Sequence, residues 1–206
     1  MDWQRILYYL PGVIIGLTIH EYCHALCAFK LGDSTSRDQG RLTLNPIKHI
    51  DLIGFMFIIF AGFGWAKPVQ FNPENLAHPR RDKAIIAAAG PLSNLLLALV
   101  LLALIRGWLE GIITIPFSRL FFIVLFRAAA INIGLFVFNL FPIPPLDGSH
   151  IVFSGLNLSA EIEHRIMRIG APLLFVIIII QNRTDITILP IGAFVSAILH
   201  FFLPQL

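Results

Sequence analysis

The residues best suited to chemistry are two histidines and a glutamate in the motif His20-Glu21-Tyr22-Cys23-His24. On a helix the two histidines lie one turn apart on the same face, so both imidazoles can bind one metal ion. This spacing is typical of zinc hydrolases in which the glutamate beside the ligands acts as a general base. The motif therefore predicts a zinc ion held by His20 and His24, with Glu21 activating a water molecule.

The motif lies inside an apolar run. Residues 6–29 read ILYYLPGVIIGLTIHEYCHALCAF, and Glu21 is the only formally charged residue among them. A carboxylate surrounded by hydrocarbon is costly, and ionisable residues within membrane segments are commonly functional. We therefore expect the chemistry to take place inside a membrane.

The composition also indicates a membrane protein. Of the 206 residues, 57% are hydrophobic and 13% are charged, whereas soluble domains carry roughly 25% charged residues. The basic residues cluster in loops and the net charge is only +3, so we expect a lipid bilayer and no nucleic acid as a partner. Cys23 and Cys27 are four residues apart on one predicted helix, where a disulfide is unfavourable. They are interpreted as small packed side chains, with a zinc-ligand role for either as the alternative.

Five apolar segments are predicted to be transmembrane helices. They are residues 6–29, 84–105, 120–141, 166–181 and 188–204. The expected fold is an all-α polytopic membrane protein with about five transmembrane helices, a re-entrant segment and short β-strands near the cytoplasmic face. The whole chain, residues 1–206, is expected to form a single membrane-embedded domain, with a catalytic core at about 6–155 and C-terminal helices at about 160–206.

Residues 52–64 form a shorter apolar segment that is predicted to enter and leave the membrane on the same side. Its length is small for a crossing helix at about 1.5 Å per residue. The flanking residues 30–50 and 65–83 each contain four lysines or arginines, which places both flanks on the cytoplasmic side. Short strands are predicted for residues 41–44 and 68–71.

Asp147 is the best candidate for a third zinc ligand, because catalytic zinc sites usually have three protein ligands. It follows a predicted transmembrane helix and a proline-rich turn at residues 142–145. His20 and Asp147 can meet only if an odd number of crossings separates their helices. A re-entrant 52–64 leaves one crossing, 84–105, which is an odd number. The loop charges and the need for Asp147 to reach His20 therefore both favour a re-entrant 52–64.

Three asparagines are candidates for substrate contacts. Asn139 lies late in the helix before Asp147, where its amide could hold a peptide carbonyl and the developing oxyanion. Asn132 lies seven residues earlier on roughly the same face, and for both residues the alternative role is an interhelical hydrogen bond. For Asn94, which follows Gly90 and Ser93, substrate binding and helix packing are equally open.

Together these residues resemble the site-2 protease family of intramembrane zinc metalloproteases. The shared elements are the His20–His24 motif and Leu146-Asp147-Gly148 after Asn139. Further motifs resemble the compact bacterial and archaeal branch without PDZ or CBS domains. They are Gly40-Arg41-Leu42-Thr43-Leu44-Asn45-Pro46, His49-Ile50-Asp51, Gly64-Trp65-Ala66-Lys67-Pro68-Val69 and Ala89-Gly90-Pro91. The resemblance covers roughly residues 10–155.

The resemblance implies one zinc ion per chain bound by His20, His24 and Asp147, with Glu21 as the base and Asn139 stabilising the oxyanion. It implies a multi-pass protease, in a prokaryotic plasma membrane, that cuts transmembrane segments of single-span proteins near the cytoplasmic side. Because such a substrate must unwind, we expect a sheet edge in the 41–72 region to bind it by strand addition. No oligomeric state is predicted.

Three positions depart from the family pattern without removing a predicted ligand or the base. Ser149 follows Gly148 where a second glycine is frequent, Cys23 replaces a smaller residue, and Leu52 stands where proline is common.

The sequence leaves two alternative functions. A metal-binding transporter would need ionisable residues along several helices. A catalytically silent homologue would bind membrane segments without cutting them, and the intact Glu21 argues against it.

Overall fold

The computed structural model describes residues 3–61, 63–114, 118–156 and 158–205. Within them the α-helices, in chain order, are α1 Trp3–Lys30, α2 Thr35–Asp38, α3 Leu52–Ala61, α4 Pro79–Leu109, α5 Arg119–Asn139, α6 Asp147–Leu156, α7 Ala160–Arg183 and α8 Ile191–Phe202. Two short 3-10 helices, Pro46–Lys48 and Pro73–Asn75, lie on either side of α3. The predicted helical fold is confirmed.

Local signals explain where the long helices begin. Ser118 and Ser159 cap α5 and α7, because each side chain accepts a backbone N–H from the first turn of its helix. Helix α4 begins with Pro79, whose missing N–H costs nothing at that position. The Asp82 side chain then accepts the backbone N–H of His78, which completes the start of this helix.

Three helices in the described part of the chain are long and apolar enough to cross a membrane. They are Ile6–Lys30 within α1, Pro79–Leu109 and Arg119–Asn139. These match the first three predicted spans. Helix α8 is apolar but has only 12 residues, so the predicted count of about five crossings is not confirmed.

The helices α1, α4 and α5 pack against one another and position the functional residues. A Cβ atom at Gly12 would lie 2.7 Å from the Ala128 Cα, and one at Gly16 would lie 2.7 Å from the Asn132 Oδ1. Glycines four residues apart let two membrane helices approach closely. Helices α4, α5 and the end of α8 bury a shared apolar cluster, composed of Ala98, Leu102, Ile105, Ala129, Ile133 and Leu203.

The predicted strands at 41–44 and 68–71 are not formed. Residues 41–44 turn towards the first 3-10 helix, and the backbone of 68–71 hydrogen-bonds to side chains, including Glu21, instead of to a strand. In the described residues the only β-pairing is an isolated antiparallel bridge between Ile50 and Ala66. The sheet edge expected to bind substrate is therefore absent from residues 41–61 and 63–72.

The two ends of the α3 segment, at His49 and Lys67, lie next to each other. The Lys67 N–H donates to the His49 carbonyl at 2.8 Å, which joins the two ends of the segment. Between them the chain folds back so tightly that a Cβ at Gly54 would lie 2.2 Å from the Trp65 carbonyl oxygen. The re-entrant course of 52–64 stays a prediction.

Candidate metal centre

Helix α1 and the start of α6 bring together the side chains of His20, His24 and Asp147. The two Nε2 atoms are 3.0 Å apart, and the Asp147 Oδ2 lies 3.2 Å from the first and 3.4 Å from the second. Both histidines are buried. Across the residues that the structure describes, this is the only group of three potential metal ligands.

The geometry of this group fits a zinc ion. Ligand atoms about 2.0–2.1 Å from a tetrahedral zinc lie about 3.3 Å from one another, close to the observed separations. The Asp147 Oδ2 is buried and has no hydrogen-bond partner. A buried carboxylate oxygen without a partner is costly, and a cation between the three atoms would satisfy it. The residues present therefore suit the metal.

Helix α4 orients both histidines through their other ring nitrogen. The His24 Nδ1 lies 2.7 Å from the Ile86 carbonyl oxygen, and the His20 Nδ1 lies 2.7 Å from the Asn94 Oδ1. A carbonyl can only accept, so the His24 Nδ1 carries the hydrogen, and in the neutral ring the Nε2 presents a lone pair. Outer partners of this kind fix the ring orientation of metal-binding histidines.

Gly90 on α4 faces the two imidazoles and leaves no space for a side chain. A Cβ at this position would lie 2.2 Å from the His24 Nε2 and 2.7 Å from the His20 Cε1. We expect Gly90→Ala to displace the ligands and weaken zinc binding by about 10- to 100-fold, as disturbed outer partners do. Zinc bound per purified chain, measured by mass spectrometry, checks this.

The matched control for Gly90→Ala is Gly155→Ala on α6. A Cβ at Gly155 meets nothing within 4 Å, so this variant should keep the zinc content of the original protein. Equal zinc content in both variants would show that a side chain at residue 90 does not displace the histidine ligands.

Glu21 lies beside the ligands and is held by the irregular segment that follows α3. Its side chain is buried, and the Val69 N–H donates to its Oε2 at 3.0 Å. This contact gives the carboxylate a defined orientation next to His20. The sequence motif identified Glu21, but not the backbone group that holds it.

Arg41 fixes the segment that reaches Glu21. This buried side chain donates to the carbonyls of Lys48 and Lys67, so it joins the two ends of the α3 segment. Lys67 lies only two residues before Val69. Arg41 therefore helps to place the N–H that binds Glu21.

The other side of Val69 is fixed by residues that follow α1. The Ser36 hydroxyl donates to the Gln70 carbonyl at 2.5 Å, and Asp33 accepts the Asn72 N–H at 3.1 Å. Burial raises the pKa of Asp33, but hydrogen bonds, first from the Thr35 hydroxyl, outweigh this and lower it below its usual value. Asp33 is therefore ionised near pH 7 and can accept these bonds.

The three asparagines occupy different environments. The Asn139 Nδ2 donates to the Leu135 carbonyl one turn earlier at 2.9 Å, and its role at the substrate carbonyl stays a prediction. Asn94 and Asn132 are fully buried. The Asn94 Nδ2 donates to the Asn132 Oδ1 at 2.9 Å, so these two amides bind each other. Their predicted contact with substrate stays untested, and the geometry favours an internal role.

His150 lies three residues after Asp147 and faces charges on two other helices. Its Nδ1 is 3.8 Å from the Glu163 Oε1, and Glu163 also pairs with Lys83 at the start of α4. Burial, and then the nearby Lys83 ammonium, lowers the pKa of His150. This imidazole is therefore neutral near pH 7.

One protein family and several known proteins are similar to parts of this chain. Residues 107–180 match the family described as Peptidase family M50. The chain is 42% identical over 162 residues to "Putative zinc metalloprotease YwhC" of Bacillus subtilis, covering 72% of this chain and 73% of that protein. No solved structure matches the chain.

Two mycobacterial proteins are also similar. The chain is 33% identical over 153 residues to "Putative zinc metalloprotease Rip2" of Mycolicibacterium smegmatis, covering 72% of this chain and 57% of that protein. It is 31% identical over 145 residues to the protein of the same name in Mycobacterium tuberculosis, covering 68% of this chain and 53% of that protein. The matched region thus spans little more than half of the mycobacterial proteins.

Proposed function

Because this chain belongs to peptidase family M50, the site-2 protease family of zinc metalloproteases, we propose that it hydrolyses peptide bonds within transmembrane segments of single-span membrane proteins. One observation carries the proposal. The potential ligand atoms of His20, His24 and Asp147 lie within 3.4 Å of one another, and the buried Glu21 is beside them.

The apolar helices and the family membership identify an integral membrane protein. We further propose a multi-pass protein of a prokaryotic plasma membrane, with its site towards the cytoplasm. The basic residues of the 30–50 and 65–83 loops support this orientation. The joined ends of the α3 segment support a re-entrant 52–64. Helix α4 is then the one crossing between α1, which carries His20, and α5, which ends shortly before Asp147.

The roles of the site residues follow from their chemistry. His20, His24 and Asp147 would hold one zinc ion per chain. Zinc bound there would supply Lewis acidity, which makes a water molecule more acidic and polarises a peptide carbonyl. Glu21 takes the proton of the attacking water and returns it to the leaving amine.

Two neighbouring groups support this step. The Val69 N–H holds one oxygen of Glu21, so the base does not have to be oriented during the reaction. The Asn139 amide nitrogen has two hydrogens, and one binds the Leu135 carbonyl. The second can donate to the carbonyl oxygen of the substrate as negative charge develops on it.

The proposed activity is tested with purified protein in detergent, zinc, and a panel of single-span substrates. We expect cleavage within the membrane segment, located by mass spectrometry of the fragments. A zinc chelator should stop cleavage, and added zinc should restore it. Cleavage that survives removal of the metal would contradict the proposal. Zinc-loaded protein that cuts none of the panel would favour the silent homologue.

Arg41 offers a test of how Glu21 is positioned. We expect Arg41→Ala to lower kcat by up to about 100-fold, the cost of misplacing a reacting group by roughly 1 Å. Zinc content should not change, because Arg41 contacts backbone carbonyls of the α3 segment and not the metal ligands. Cleavage kinetics and zinc content measured on the same preparation check this.

The control is Arg37→Ala. The Arg37 guanidinium is 50% exposed and pairs with Asp38 at the surface, so cleavage should stay close to that of the original protein. An unchanged kcat for Arg41→Ala, or an equal loss in both variants, would contradict the positioning role.

A further inference from the structure

A chain of side-chain amides runs from α5 through α4 to His20. The Asn132 Nδ2 donates to the Ala128 carbonyl at 2.8 Å, and the Asn94 Nδ2 donates to the Asn132 Oδ1 at 2.9 Å. The Asn94 Oδ1 then lies 2.7 Å from the His20 Nδ1. Both asparagines are 0% exposed, so water does not compete for these bonds.

Backbone carbonyls set the direction of this chain. The Ala128 carbonyl can only accept, so the Asn132 Nδ2 points towards it and the Asn132 Oδ1 points towards α4. The Asn94 Nδ2 faces two acceptors, the Asn132 Oδ1 and the Gly16 carbonyl oxygen at 3.0 Å. The Asn94 Oδ1 must then face His20. An amide oxygen cannot donate, so the hydrogen lies on the His20 Nδ1.

We propose that Asn94, supported by Asn132, is a positioning residue for the metal ligand His20. The inference rests on the zinc site of the proposed function. With its hydrogen held on Nδ1, the His20 ring presents the lone pair of Nε2 towards His24 and Asp147. This role takes the place of the substrate contact that the sequence suggested for the two asparagines.

The two histidines therefore depend on different kinds of partner. His24 is oriented by a backbone carbonyl, that of Ile86, which no substitution removes. His20 is oriented by a side chain, so its contribution to metal binding can be altered by mutation. A buried asparagine between membrane helices can also serve packing alone. If Asn94 positions His20, zinc affinity depends on a hydrogen-bond acceptor at residue 94. If Asn94 serves packing alone, zinc affinity does not depend on that acceptor.

The test measures zinc affinity of the full chain in detergent by competition with a chromophoric chelator. Asn94→Leu keeps the side-chain size but removes the acceptor, and we expect zinc affinity to fall by about 10- to 100-fold. Asn94→Asp keeps an acceptor for the His20 Nδ1 but loses the donor to Gly16 and Asn132. We expect its zinc affinity to stay near the original value. Thermal unfolding of each metal-free variant reports packing separately.

Asn132→Leu is the matched control, because it removes the far end of the chain and leaves the contact between Asn94 and His20. Its loss of zinc affinity should be smaller than that of Asn94→Leu. Unchanged zinc affinity in Asn94→Leu would overturn the inference. So would equal losses in Asn94→Leu and Asn94→Asp, since packing alone would then explain them.

The same measurements separate this inference from the proposed function. If Asn94→Leu does not fold, Asn94→Ala, which also removes the acceptor, takes its place, and equal zinc affinity in Asn94→Ala and Asn94→Asp overturns the inference. Original protein that binds no zinc would overturn the proposed function itself. Zinc bound normally, with no dependence on residue 94, would overturn the positioning role alone.

Discussion

Replacing Glu21 with glutamine is expected to lower the cleavage rate by about 10²- to 10⁴-fold, the usual contribution of a general base. Glutamine has the same size and can still accept the Val69 N–H that now donates to the Glu21 Oε2 at 3.0 Å. It cannot take a proton from water. Zinc content should therefore be unchanged while kcat falls, as measured on the same protein preparation.

The control for this substitution is Glu110→Gln. Glu110 pairs with Arg106 at the end of α4, and its side chain is 43% exposed, so loss of its charge should leave cleavage unaffected. Cleavage at the original rate by Glu21→Gln would show that another group accepts the proton.

Replacing Asp147 with alanine is expected to have the largest effect on metal binding. Its Oδ2 is one of three converging ligand atoms, 3.2 Å from His20 Nε2 and 3.4 Å from His24 Nε2. Removing a direct ligand should cost more than the roughly 100-fold that loss of an outer partner can cost. Competition with a chelator measures this loss, and cleavage should disappear at zinc concentrations that saturate the original protein.

Asp185→Ala is a suitable control, since this carboxylate is exposed in the loop between α7 and α8. It should change neither zinc affinity nor cleavage. Zinc binding at the original affinity by Asp147→Ala would exclude Asp147 as a ligand. Cys23 and Cys27, the alternative ligands suggested by the sequence, would then be the candidates for the third ligand.

The grouping of His20, His24 and Asp147 could be predicted because it depends on simple constraints. The histidines share a helix face, and the ends of two helices must lie on the same side of the membrane for the aspartate to reach them. The structure brings these three side chains together. The first three membrane spans could be predicted for a similar reason, since length and hydropathy alone define them.

The partners of these residues could not be predicted, because they depend on how three helices pack. The contact of Asn94 with His20 requires the close approach of α4 to α1, where Gly90 faces the two imidazoles. The contact of Val69 with Glu21 requires a folded loop far along the chain. Neither leaves a periodic pattern in the sequence.

The strands were predicted wrongly for a local reason. The Arg41 N–H donates to the Ser36 carbonyl at 2.9 Å, and the Thr43 carbonyl oxygen lies 2.7 Å from the His49 Nε2. The backbone of 68–71 is used by side chains such as Ser36. These bonds satisfy the backbone groups that strand pairing would have used.

The most direct test of the central claim is X-ray absorption spectroscopy at the zinc edge on the purified, zinc-loaded protein. We predict only nitrogen and oxygen neighbours at about 2.0–2.2 Å, with the outer scattering of two imidazole rings. Sulfur at about 2.3 Å would instead identify Cys23 or Cys27 as a ligand. That result, or scattering from fewer than two imidazoles, would contradict a centre built from His20, His24 and Asp147.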